Sequence, residues 1–139
     1  MTWIICRWYK YSPMSIEQLL AHIRELQGRR KQLLAGLQLP PEALPGSLAE
    51  SRGRCGSPGC HCHQDGGHLS WTLTFMVDRK KRVEHIPTEL VDAVQERVAQ
   101  GKAYKEAVAE LMAINAQLLV IERRARKQRE AERKRRAGR

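Results

Sequence analysis

The chain has 139 residues and a formal net charge of +10, with 25 Lys and Arg against 15 Asp and Glu. That length fits one domain with a small core, and no apolar run nears the ~20 residues needed to span a bilayer, which argues against a membrane protein. The charge is uneven: Glu122 to Arg139 holds ten Lys and Arg against three Glu, +7, leaving +3 for the first 121 residues.

Residues 1–13 (Met-Thr-Trp-Ile-Ile-Cys-Arg-Trp-Tyr-Lys-Tyr-Ser-Pro) are apolar but short, and no basic segment precedes their apolar part, so they do not read as a targeting signal. They are expected to be a poorly ordered upstream extension, with Met14 as the natural start. The alternative is that Trp3, Ile4, Ile5, Trp8 and Tyr9 pack on the body. Cys6, far from the other cysteines, reads as a bystander.

From about Ser15 to Leu37 the pattern predicts a helix. Ser15 can cap it, with Glu17 and Gln18 in the first turn. Ile16, Leu19, Ile23, Leu26, Arg30, Leu33 and Leu37 advance by threes and fours, giving one apolar stripe interrupted by Arg30. Leu20 and Leu34 widen it. Pro40, Pro41, Pro45 and Gly46 end the helix and form a stiff linker.

Three cysteines crowd the next run, Arg54-Cys55-Gly56-Ser57-Pro58-Gly59-Cys60-His61-Cys62-His63. Thiolates and imidazoles at this spacing suit a tetrahedral Zn²⁺ site, and the glycines and proline let the loop curl around it. Cysteines this close make a poor disulfide framework, so a reducing, cytoplasmic setting is expected. His61, His63 and His68 compete for the fourth position. His61 lies between two ligands and should point away; His63 needs a tight turn; His68 follows Gly66 and Gly67, which free the chain to fold back. With Cys55, Cys60, Cys62 and His68 as ligands the site would be closed, hence structural.

Leu69 to Val77 alternates as a strand, Asp78-Arg79-Lys80-Lys81 reads as a polar turn, and Arg82 to Ile86 as the return strand of a β-hairpin. Arg79, Lys80, Lys81 and Arg82 at its tip could touch phosphate. Thr88, with Glu89 beside it, should cap a long helix reaching at least Arg126. Val91, Val94 and Val98 begin its apolar side, Gly101 marks a kink or break, and Ala107, Leu111, Ile114, Leu118, Ile121 and Ala125 resume it. The expected fold is α+β, mostly α. Two long helices, antiparallel and coiled-coil-like, flank the zinc loop and hairpin, with a domain over 14–128 and a basic tail over 129–139. Met112, Leu119 and Val120 are left over and invite a homodimer.

The order of these motifs carries a resemblance. Pro45-Gly46-Ser47-Leu48, the cysteine run, Gly67-His68 before an aromatic strand, and His85-Ile86-Pro87 before a long helix resemble a family of small uncharacterised bacterial proteins. It is a domain of unknown function often encoded in or near mobile elements and transposases. The resemblance covers roughly Met14 to Gln128 and favours His68 as the fourth ligand. Members commonly carry Gly-Pro and tyrosines where this chain has Leu69, Ser70 and Trp71.

No phosphate-binding glycine loop, Ser/His/Asp arrangement or His-Glu-x-x-His motif supports an enzyme. His85 before Pro87 and a helix is only a faint echo of a ββα-metal nuclease. The expected function is a zinc-stabilised nucleic-acid-binding accessory protein, with DNA the first partner and a mobile element its setting. Arg123, Arg124, Arg126, Lys127, Arg129, Arg133, Lys134, Arg135 and Arg136 would lie on phosphates. The competing expectation is a protein-interaction adaptor that docks partners through its helices.

Overall fold

A computed structural model describes residues 14–139; the N-terminal extension, with Cys6, lies outside the described residues. The fold is mostly helical with one antiparallel sheet. In chain order it comprises α1 (Ile16–Gly36), β1 (Ser47–Gly53), a 3₁₀ turn (His61–His63), β2 (His68–Val77), β3 (Lys80–Ile86), a second 3₁₀ turn (Thr88–Leu90) and α2 (Val91–Ala137). The chain divides into two compact units, Leu37–Ala107 and a second formed by the residues up to Gly36 with Val108–Arg139.

In the helical unit, α1 opens as expected. Gln18 N–H donates to Ser15 Oγ at 3.2 Å while Ser15 N–H donates to Gln18 Oε1 at 2.9 Å, a reciprocal capping box. Leu19 and Leu26 of α1 are buried with Ile114, Leu118, Ile121 and Ala125 of α2, and Met14, Ile16, Ile23 and Leu33 pack against them. All but Met14, which precedes α1, lie on the three-four stripes predicted for both helices. Polar contacts flank the seam: Arg29 forms a fork with both carboxylate oxygens of Glu110, at 2.7 and 3.0 Å. Arg30, the break in the stripe, reaches Asn115 Oδ1 at 3.5 Å. Gln128 Nε2 donates to the Met14 carbonyl at 3.0 Å.

The other unit holds a three-stranded sheet in the order β1-β2-β3, where the sequence predicted a two-stranded hairpin. β1 pairs along its whole length with β2, from Ser47 opposite Thr74 to Gly53 opposite His68. Its sequence, Ser-Leu-Ala-Glu-Ser-Arg-Gly, holds no β-branched or aromatic residue, so nothing in it signals a strand; pairing to β2 overrides weak propensity. The turn is also shorter than predicted. Asp78 and Arg79, at φ 50° and 64°, form a two-residue left-handed turn of the kind that matches strand twist. Lys80 and Lys81 therefore belong to β3, opposite Val77 and Met76.

Thr88 does not cap α2. Thr88–Leu90 form a 3₁₀ turn after Pro87, no side chain caps that turn, and α2 begins at Val91. Nor does Gly101 break the helix, which runs unbroken to Ala137. Gly101 is buried because the linker passes over it: a β-carbon there would stand 2.2 Å from the Leu44 carbonyl oxygen. Leu44 N–H donates to the Arg97 carbonyl at 3.0 Å, and Glu42 pairs with Arg97 at 2.9 Å.

Two glycines test this. Gly101→Ala gains about 1 kcal/mol of helix propensity but overpacks against backbone, which costs about 1–3 kcal/mol. A net loss in denaturant midpoint is expected. Gly28→Ala, where nothing lies within 4 Å, gains the propensity alone and should stabilise by about 0.5–1 kcal/mol.

Candidate metal centre

Sγ of Cys55, Cys60 and Cys62 and one ring nitrogen of His68 all lie within 4.8 Å of one another. Local geometry brings them together. Cys55 and Cys60 lie in the β1–β2 connection, Cys62 sits in the His61–His63 3₁₀ turn, and His68 is the first residue of β2. The chain turns back to His68 at Gly67, whose φ is +105° and where a β-carbon would stand 2.9 Å from the Gly53 peptide. Only glycine fits that crossing.

Cys55 Sγ and Cys62 Sγ are 3.5 Å apart, and Cys60 Sγ lies 3.2 Å from His68 Nε2. A tetrahedral ion with metal–sulfur bonds of about 2.3 Å has sulfur–sulfur edges of about 3.8 Å, so four donors within 4.8 Å of one another are close enough to hold one ion. Cys62 is buried, the other two cysteines are half-buried, and all three are free thiols. His61 and His63 are outside the cluster. The His61 ring stands edge-on to His68 at 6.0 Å and approaches Asp65 at 4.0 Å, while His63 is exposed.

Backbone amides support the sulfurs, a feature that residue spacing did not reveal. The Ser57 amide on its sulfur is the main cause holding the Cys55 thiol down at about 6, with His68 and the other two sulfurs adding to it. The Cys62 amide likewise lowers Cys60. Burial raises Cys62, opposed by the Cys55 amide on its sulfur. Hydrogen bonds donated by the His68 ring to the Cys55 and Cys60 sulfurs raise His68, which holds its proton more tightly until the thiolates engage something else. Amide donors aimed at sulfur favour the thiolate that a metal binds and orient it.

The predicted phosphate contacts are all exposed and fall in two places. Arg79 is in the hairpin turn; Lys80, Lys81 and Arg82 follow on β3. They do not share a face: Lys80 and Arg82 lie opposite Val77 and Phe75, Lys81 opposite Met76 on the other side. Arg123, Arg124, Arg126, Lys127, Arg129, Arg133, Lys134, Arg135 and Arg136 all lie on α2 and are exposed; Arg126 donates to Glu130 at 3.1 Å. At 100° per residue they cover roughly three quarters of the helix circumference, sparing the side of Ile121, Ala125 and Gln128. Among the described residues no helix is long and apolar enough to cross a membrane.

The thiols make a checkable prediction. In chelator-treated protein, alkylation of Cys55 followed by peptide mass should rise with pH to half its maximum near pH 6. Cys62, raised by burial, should react only at higher pH than an ordinary thiol. Equal rates for the two at neutral pH would contradict the Ser57 amide on Cys55 and the burial of Cys62.

No curated protein and no solved structure matches the chain. Residues 17–96, more than half of it, match a family described as a domain of unknown function (DUF6788). The match takes in α1 from its second residue, the sheet and all four residues of the Cys₃His cluster, and the chain belongs to this family.

Proposed function

We propose that the Cys₃His cluster holds a structural Zn²⁺ and that the protein binds nucleic acid through the basic stretch of α2. Three thiolates with one imidazole, amide-supported and within 4.8 Å of one another, are a donor set suited to zinc, and four such ligands would fill its coordination shell. Such a closed site has a folding role and not a catalytic one, and free thiols suit a reducing, cytoplasmic compartment. The observation that carries the nucleic-acid reading is the band of nine exposed Arg and Lys from Arg123 to Arg136 on a regular helix. Side chains fixed on a helix at that density can neutralise successive phosphates without reading bases. The contacts Met14–Gln128 and Arg29–Glu110 support an antiparallel, coiled-coil-like pairing of α1 with α2. In that pairing α2 carries its basic end past the start of its partner.

One observation favours a second reading. Met112 and Leu119, both more than 60% exposed on α2, would serve an adaptor that docks a partner helix, with the basic end a solvated surface. Salt separates the two. If about half of the basic residues meet phosphate, log K for duplex DNA should fall with log salt at a slope of roughly −4. Deleting residues 123–139 should flatten that slope; an absence of DNA or RNA binding at low salt leaves the adaptor.

Metal analysis addresses the other half. About one Zn²⁺ per chain is expected, lost in Cys60→Ser together with protection of the sheet amides, because binding energy at such a site is folding energy. Full metal retention in a Cys55, Cys60, Cys62 triple serine variant would refute the site.

A further inference from the structure

α2 carries a second apolar stripe, on the side facing away from α1. Ala109, Met112, Ala113, Ala116, Leu119 and Val120 advance in heptad steps, and all are exposed; Met112, Leu119 and Val120 are 61%, 62% and 47% exposed. At 100° per residue this stripe lies about half a turn from the Ile114–Leu118–Ile121–Ala125 seam. A helix with apolar stripes on two opposite sides is built to be covered twice.

The stripe is self-complementary when reversed about Ala116. A two-fold axis there places Leu119 of one copy over Ala113 of the other, and Met112 over Val120, so each large side chain meets a smaller one. Ala109 falls under the stem of Arg123. The charges farther out follow the same symmetry. Lys102 and Glu106 form an i,i+4 pair before the stripe, and Arg126 and Glu130 form another after it. Reversal sets Lys102 against Glu130 and Glu106 against Arg126, opposite signs in each case. A parallel, in-register pairing would instead set Arg123 on Arg123 and Arg126 on Arg126.

We infer that the exposed stripe of α2 is the interface of an antiparallel homodimer centred on Ala116. The partner is a second copy of this chain because size and charge both complement under reversal, a match no unrelated helix has by default. Charge order fixes the direction and apolar burial supplies the attraction. The inference needs neither the metal nor the nucleic-acid reading, and either could fail without touching it.

Sedimentation equilibrium of the full chain, freed of nucleic acid and at low ionic strength, is the test. The wild type should dimerise reversibly. Leu119→Asp should weaken association at least tenfold while leaving the helical circular dichroism, and the melting of protein dilute enough to be monomeric, unchanged, since Leu119 is outside the seam with α1. Exchanging one charged pair (Lys102→Glu with Glu106→Lys) keeps net charge and the i,i+4 pairing but sets like charges across the interface. It should weaken association roughly threefold to tenfold. Adding Arg126→Glu with Glu130→Arg should restore it. Failure of the fourfold exchange to restore association overturns the antiparallel register. A wild type that stays monomeric at about 100 µM, with or without residues 1–13, gives the stripe to another chain and overturns the homodimer.

Discussion

Where β1 ends and β2 begins, Gly53 lies opposite His68 and the Gly53 peptide comes too close to Gly67 for any β-carbon. That crossing closes the connection over residues 54–67 and returns His68 to the three cysteines. The sheet depends on it from the other side too. β1 has only Leu48 half-buried and contributes little apolar attraction, so its alignment on β2 rests on the ladder and on the closure at its end. A three-stranded sheet with so few buried side chains is marginal without a staple. The convergence of four metal-binding groups at the closure is the physical reason to place one there.

The helical unit is held differently. Its seam is apolar, and its ion pairs lie at the margin. Arg29 and Glu110, about half exposed, form a bidentate fork; the pair holds the Glu110 carboxyl below the usual range and raises the Arg29 guanidinium. At that exposure such a pair adds little net stability and mainly sets how the helices slide on one another. Deleting Leu19 or Ile121, each 1% exposed, is the damaging change for this unit.

Much of this was legible in the sequence, for reasons visible in particular residues. The seam could be read because Leu19, Leu26, Ile114, Leu118 and Ile121 repeat at the helical period and the structure uses that face. The clustering of Cys55, Cys60, Cys62 and His68 could be read because thiols and imidazoles within fourteen residues (55–68) have few other reasons to gather. What failed depends on the partner surface. β1 has strand character only next to β2. Gly101 looked like a helix breaker, yet its missing side chain admits the Leu44 carbonyl while the helix ladder continues. Thr88 had a capping residue's identity, but a 3₁₀ turn set by Pro87 occupies that place. The amides on the sulfurs depend on loop conformation, which no spacing rule encodes.

The order in which these contacts are made has a consequence for synthesis on the ribosome. The four clustered residues lie within one short run, so the Cys₃His cluster can close as soon as His68 has emerged. α1 comes earlier, yet Leu19 and Leu26 find their cover only in Ile114 to Ala125, about a hundred residues later. At roughly 5–20 residues per second, α1 waits on the order of 5–20 s with its stripe uncovered. Arg30 stands in the middle of that stripe, and only in the finished fold does it reach Asn115. During the wait it is a charge interrupting an adhesive surface, the placement by which natural chains guard segments that must stay exposed until their partners are made.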